Sequence, residues 1–144
     1  MVNKNNFLID LSKSVLSRDF EDQTDIQKVF TAIWALEGEV NNGGFHQYFW
    51  NSAGNTANFA PVALRRIGAN TCAGIVERAL RIVSSEPLPD DSDSRDKLLD
   101  GLSREAIVEL EAIDVEFFSY PDDLTALLFD FVRAHPEVFG PTPT

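Results

Sequence analysis

The sequence predicts an all-α fold, a single domain over residues 1–144 arranged as an irregular orthogonal bundle of about six to eight helices. Three observations lead there. The strong apolar patterns repeat at i, i+3, i+4 and i+7, the spacing of one helix face. No Asn-Gly or Asp-Gly turn lies between alternating apolar runs, so the hairpin signal is missing. A chain of 144 residues with 44% hydrophobic content can close one core without disulfide staples.

The elements follow in order. A first helix is expected at about Asn6–Arg18, with Phe7, Leu8, Leu11, Val15 and Leu16 on one side. A second begins at Thr24, where Thr24-x-x-Gln27 has the form of a capping box. Its inward stripe is Ile26, Val29, Phe30, Ile33, Leu36 and Val40, and Gly43 or Gly44 is its stop. A short aromatic helix then runs from about Phe45 to Ser52. Pro61 falls in the first turn of the next helix, which ends near Gly68. Asn70 or Thr71 is the expected cap of a further helix carrying Cys72, Ile75, Val76, Ala79, Ile82 and Val83.

Ser84–Ser94, with Pro87, Pro89 and three aspartates, reads as a loop and the best place for local mobility. A short helix at about Arg95–Leu102 borders, or runs into, a longer one at Ser103–Ser119. Tyr120-Pro121 breaks the pattern. The last helix, about Asp122–Ala134, turns Leu124, Leu127, Leu128, Phe131 and Val132 inward and ends before Pro136. His135 is expected to cap that end, and the Pro-Thr-Pro-Thr tail to fray.

Composition narrows the function classes. A single cysteine, Cys72, allows no internal disulfide, and its apolar face places it in the core. Residues 1–10 carry one lysine and no long apolar run, so no signal peptide is expected. No stretch reaches the roughly 18 apolar residues of a membrane helix. The expected setting is therefore cytoplasmic, away from membranes. The net charge of −11 is unevenly placed. Eight acids and eight bases cancel over residues 1–85, whereas residues 86–144 hold fifteen acids against four bases. A field of that sign repels nucleic acid and anionic membranes and attracts basic partners. It also serves plain solubility.

The richest segment is Glu37-Gly-Glu-Val-Asn-Asn-Gly-Gly-Phe-His-Gln-Tyr-Phe-Trp-Asn-Ser-Ala-Gly54, with the core Asn41–Ser52. It sets Asn41, Asn42, Gly43 and Gly44 directly against Phe45, Tyr48, Phe49 and Trp50. Together with Ala63-Leu64-Arg65-Arg66-Ile67-Gly68-Ala69, Leu110-x-x-Ile113-Asp114-x-x-Phe117 and Phe131-Val132-Arg133-Ala134-His135-Pro136, it resembles the family named after a bacterial DNA-mimic protein. The likeness covers about residues 25–139. It implies an all-helical, non-catalytic protein whose namesake uses an acidic surface to occupy the DNA-binding face of a transcription factor. The shared motif itself is neutral and aromatic, so it belongs to the fold rather than to the mimic surface.

The candidate partner surface is the acidic set Asp90, Asp91, Asp93, Asp96, Asp100, Glu105, Glu109 and Glu116. At about 100° per residue, Glu105, Glu109 and Glu116 fall in one narrow stripe opposite Ile107, Leu110, Ile113 and Phe117. A duplex shows one charge per roughly 1.7 Å of axis, on two tracks. The helix supplies one such track, and the aspartates extend the row.

A second candidate is the motif and any cleft beside it: Glu37, Asn41, Asn42, Gly43, Gly44, Phe45, His46, Gln47, Trp50, Asn51 and Asp114. Glu37 and Asp114 fall inside apolar stripes, and a buried carboxylate must be paired or hydrogen-bonded. The structural account gives them the Asn-Gly-Gly turn, Gln47, Asn51, Arg65 or Arg66 as partners. The alternative is a site with His46 as acid–base partner, or a ligand groove beside His46 and Trp50. No metal-ligand spacing, phosphate loop or nucleophile elbow is present, and no cofactor, metal or catalytic residue is expected.

The leading reading is a non-catalytic protein that binds a basic partner, with the DNA-binding face of a regulator as the expected target, without binding nucleic acid itself. A small-molecule or peptide-binding module or enzyme at the motif, and an immunity or antitoxin partner of a basic toxin, stay open as alternatives. Oligomeric state is open too, a dimer included.

Overall fold

A computed structural model describes residues 3–143. Met1 and Val2, part of the leader reading, and Thr144 at the end of the tail lie outside the described residues. Among the described residues there are eight α-helices, two 3-10 turns and no strand. The helices are α1 (Lys4–Val15), α2 (Asp25–Trp50), α3 (Ala60–Arg66), α4 (Asn70–Val83), α5 (Ser92–Asp100), α6 (Arg104–Phe118), α7 (Leu124–Arg133) and α8 (Pro136–Phe139).

α2 is the spine, and α1, α3, α5, α6 and α7 all pack against it. Its Thr24 start is the expected capping box, with both reciprocal bonds made. Val29, Phe30, Ile33, Leu36 and Val40 are fully buried in one core, continuous with Phe45, Tyr48 and Phe49. Helix and aromatic extension form one element, bent where Gly43 and Gly44 leave helical geometry. Gly44, at φ 80°, takes a left-handed conformation that favours glycine.

Several expectations are corrected. α1 begins two residues early because the Asn3 side chain accepts the Asn6 N–H, and it stops at Val15, leaving Leu16 exposed. Neither Asn70 nor Thr71 caps α4. Asp122, fifty residues away, accepts the Cys72 N–H instead, at 2.8 Å. Asp122 therefore lies outside α7, whose own cap is Asp123. α5 starts at Ser92, capped by Asp91, and Gly101 and Ser103 separate it from α6.

The 84–91 loop is pinned rather than loose, because Asn58 exchanges two hydrogen bonds with the backbone of Leu88. Ile107, expected inward, is exposed. Pro136 opens α8 instead of ending the chain's regular structure, which suits a residue with no N–H at the first helical position. His135 sits at that junction, its Nδ1 2.8 Å from the Phe131 carbonyl oxygen and its ring on Phe131.

Candidate interaction surface and the polar motif beneath it

The bend at Gly43–Gly44 opens the ladder of α2, so the Phe45 N–H lacks an intrahelical acceptor. Asp114 of α6 supplies one, its Oδ1 2.9 Å from that nitrogen. A Cβ on Gly44 would overlap the Asp114 carboxylate, so the close approach requires glycine. This is the turn contact the sequence suggested. Burial raises the Asp114 pKa, and the Phe45 N–H opposes the rise.

Glu37 is half-buried and takes a different partner. Tyr120 donates its hydroxyl to Glu37 Oε2 at 2.8 Å and accepts the Asn41 amide at 2.5 Å. Tyr120 itself has φ 50°, unusual for a side chain of that size. Burial raises the Glu37 pKa, the Tyr120 hydroxyl opposes this, and Asp123 adds to it. Gln47 and Asn51, expected near Glu37 or Asp114, both donate to Glu39 instead. Arg65 is also engaged elsewhere, in a forked pair with Glu77. Phe45 is buried in the core, whereas Asn42, His46 and Trp50 are exposed.

Arg95 is the residue the sequence reading missed. It is 1% exposed, the largest fully buried side chain. Its Nε donates to the Phe49 carbonyl at 2.8 Å, Nη2 to Asn51 at 3.0 Å, and Nη1 to Pro89 and Asp90 at 3.0 and 2.8 Å. The guanidinium thus caps the carbonyl end of α2, where the helix dipole is negative, and ties the acidic loop to it. Gly54 leaves room for it, since a Cβ there would lie 2.9 Å from Arg95 Nε. A signal was present: Arg95 stands at i with Leu98 and Leu99 at i+3 and i+4, on the apolar stripe of α5.

Of the eight acids proposed as a partner surface, seven are exposed and Asp96 is half-buried. Asp91 is held by the Ser94 N–H and hydroxyl, which lower its pKa. Glu116 forms a forked pair with Arg78 at 2.9 and 2.6 Å, which lowers its pKa. Among the described residues none of the other seven is in an ion pair. Glu109 lies on an open groove of about 500 Å³ with Arg78, Arg81 and Glu116. Asp93 and Asp96 share a hollow with Trp50, Asn51 and Ser52. The exposed indole of the motif therefore stands beside two carboxylates of the acidic set.

Among the described residues no three His, Cys, Asp or Glu gather as metal ligands, and no helix is long and apolar enough to cross a membrane. Cys72 is buried, and burial together with Asp122 pushes its thiol up to about 12. A family model described as DMP19-like protein matches residues 21–135. No curated protein and no solved structure matches.

Proposed function

The chain belongs to the DMP19-like protein family, and from that premise we propose that it is a non-catalytic acidic interaction protein, a DNA mimic that occupies the DNA-binding face of a basic regulator. The supporting observation is that the whole excess charge sits in residues 86–144 and remains mostly uncompensated there: of the eight acids, only Glu116 is in an ion pair among the described residues.

Glu105 and Glu109 are four apart on α6, about 5–6 Å between Cβ atoms. Asp90, Asp91, Asp93, Asp96 and Asp100 lie on the preceding loop and on α5. A basic surface shaped for phosphates gains from such a row through counterion release and steering. Trp50 adds an exposed aromatic anchor between Asp93, Asp96 and the end of α2, the residue type that most often dominates interface energy.

The test is a tagged pull-down from the source cell's lysate, eluted in salt steps. The expected capture is a basic DNA-binding protein that duplex DNA displaces. A variant with Asp93→Asn, Asp100→Asn, Glu105→Gln and Glu109→Gln removes four charges whose side chains have no hydrogen-bond partner among the described residues. It should bind more weakly and with a flatter salt dependence. Equal binding by the folded variant sinks the proposal, and capture of a basic toxin would assign the same surface to immunity.

A further inference from the structure

A cleft of about 280 Å³ lies between α1 and α2, lined by Asn5, Ile9, Trp34, Glu37, Gly38 and Asn41. That volume sits just below the usual range for drug-sized ligands and suits one side chain. Trp34, Glu37, Gly38 and Asn41 stand at i, i+3, i+4 and i+7 on one face of α2. None of the eight acids discussed above lines this cleft.

The lining carries negative and acceptor character without a cation. Glu37 Oε2 accepts from Tyr120, while Oε1 has no hydrogen bond and the carboxylate has no ion pair among the described residues. Asn41 gives its amide nitrogen to Tyr120, so its carbonyl oxygen is left as an acceptor. Trp34 is held flat against Phe30, centroids 5.6 Å apart and planes 12° apart.

Gly38 supplies a separate observation. Glycine inside a helix costs stability relative to alanine, and here no packing reason demands it. A Cβ at Gly38 would meet nothing within 4 Å, and its φ is not positive. What a side chain at that position would do is fill the cleft.

We propose that this cleft is a binding site for the guanidinium group of an arginine side chain presented by a partner protein. A guanidinium brings charge for Glu37, forked donors for the carboxylate and amide oxygens, and a flat face that stacks on an indole. Lysine offers neither the fork nor the plane. Burial and the Asp123 carboxylate hold the Glu37 pKa up, and an arriving cation would relieve that.

The probe is N-acetyl-arginine amide, titrated into the full chain carrying Trp50→Phe, so that Trp34 is the one remaining indole. Amide NMR shifts and Trp34 emission report binding. The expected result is saturable binding in the millimolar range at residues 34–41, with N-acetyl-norleucine amide silent. Glu37→Gln should weaken it by roughly tenfold or more, as for loss of a charge-assisted bond. Gly38→Leu should abolish it while raising Tm, which a purely structural role for this face would not produce. No saturable shift with the blocked arginine, an equal response to norleucine amide, or intact binding by Gly38→Leu each overturns the proposal. Tighter binding of free arginine overturns the assignment to a partner's side chain. The acidic-surface variant tests a different set of residues, so the two proposals fail separately.

Discussion

At the scale of single residues, Arg95 shows how a buried charge is tolerated without a counter-ion. Its donors meet four backbone carbonyls, two of them at the end of α2, where such oxygens lack helical partners. Arg95→Met keeps much of the volume and withdraws a donor from all four, of which the Asn51 carbonyl keeps the Gly54 N–H. A buried acceptor left unpaired costs about 1–3 kcal/mol, so we expect a loss of about 3–5 kcal/mol in urea denaturation. Unchanged stability would show that the carbonyls are satisfied another way. Gly44→Ala meets both a left-handed backbone and the Asp114 carboxylate, so about 1–3 kcal/mol is expected. Gly43→Ala meets the Gln47 side chain, its Cβ included at 2.9 Å, but at a φ of −159° that any residue adopts, so it should cost less; a reversed order in chemical melts would contradict the bend in α2.

Glu37 gives a signed pH prediction. Its folded pKa lies above 4.5 because of burial, so folding favours the protonated form. Its favourable contribution is complete below 4.5 and is lost as pH rises through the folded value. Glu37→Gln should therefore raise Tm at pH 7, and the gain should vanish near pH 4. Lowered groups such as Glu116 and Glu77 lose their stabilisation as pH falls, but they do so equally in both proteins. A pH-independent difference would refute this account.

At the scale of elements, the helices were legible wherever an apolar stripe and a local cap coincided. Thr24-x-x-Gln27 marked the start of α2, and Gly43-Gly44 marked its bend. What escaped was help from far along the chain. Asp122 read as the first residue of the last helix, yet its carboxylate caps α4. The 84–91 loop read as mobile from its prolines and aspartates, yet Asn58 and Arg95 hold its backbone. Composition reports what a segment tolerates, while distant side chains decide whether it is anchored. The candidate site divides the same way. Asp114 and Glu37 stood out as carboxylates on apolar faces, and Asp114 took the foreseen turn N–H. Tyr120 as the partner of Glu37, and Glu39 as the acceptor for Gln47 and Asn51, needed the third dimension.

At the scale of the whole molecule, charge and core are divided between different stretches of chain. The first 85 residues are neutral in sum and provide the spine, and the remainder carries the field. The core ignores that division: Phe117 packs edge-on against Phe45 at 5.8 Å, and Asp114 closes the bend in α2. The proposed mimicry depends on where carboxylates sit, and their placement is set by contacts to the neutral part.

The consequence of the Arg95 clamp is that the acidic portion is not a transplantable tag. A peptide of residues 86–144 would keep the excess charge yet lose the Phe49 and Asn51 carbonyls that hold its first helix in place. It would behave as a self-repelling polyanion, carrying the same composition as this protein's acidic face with none of its geometry.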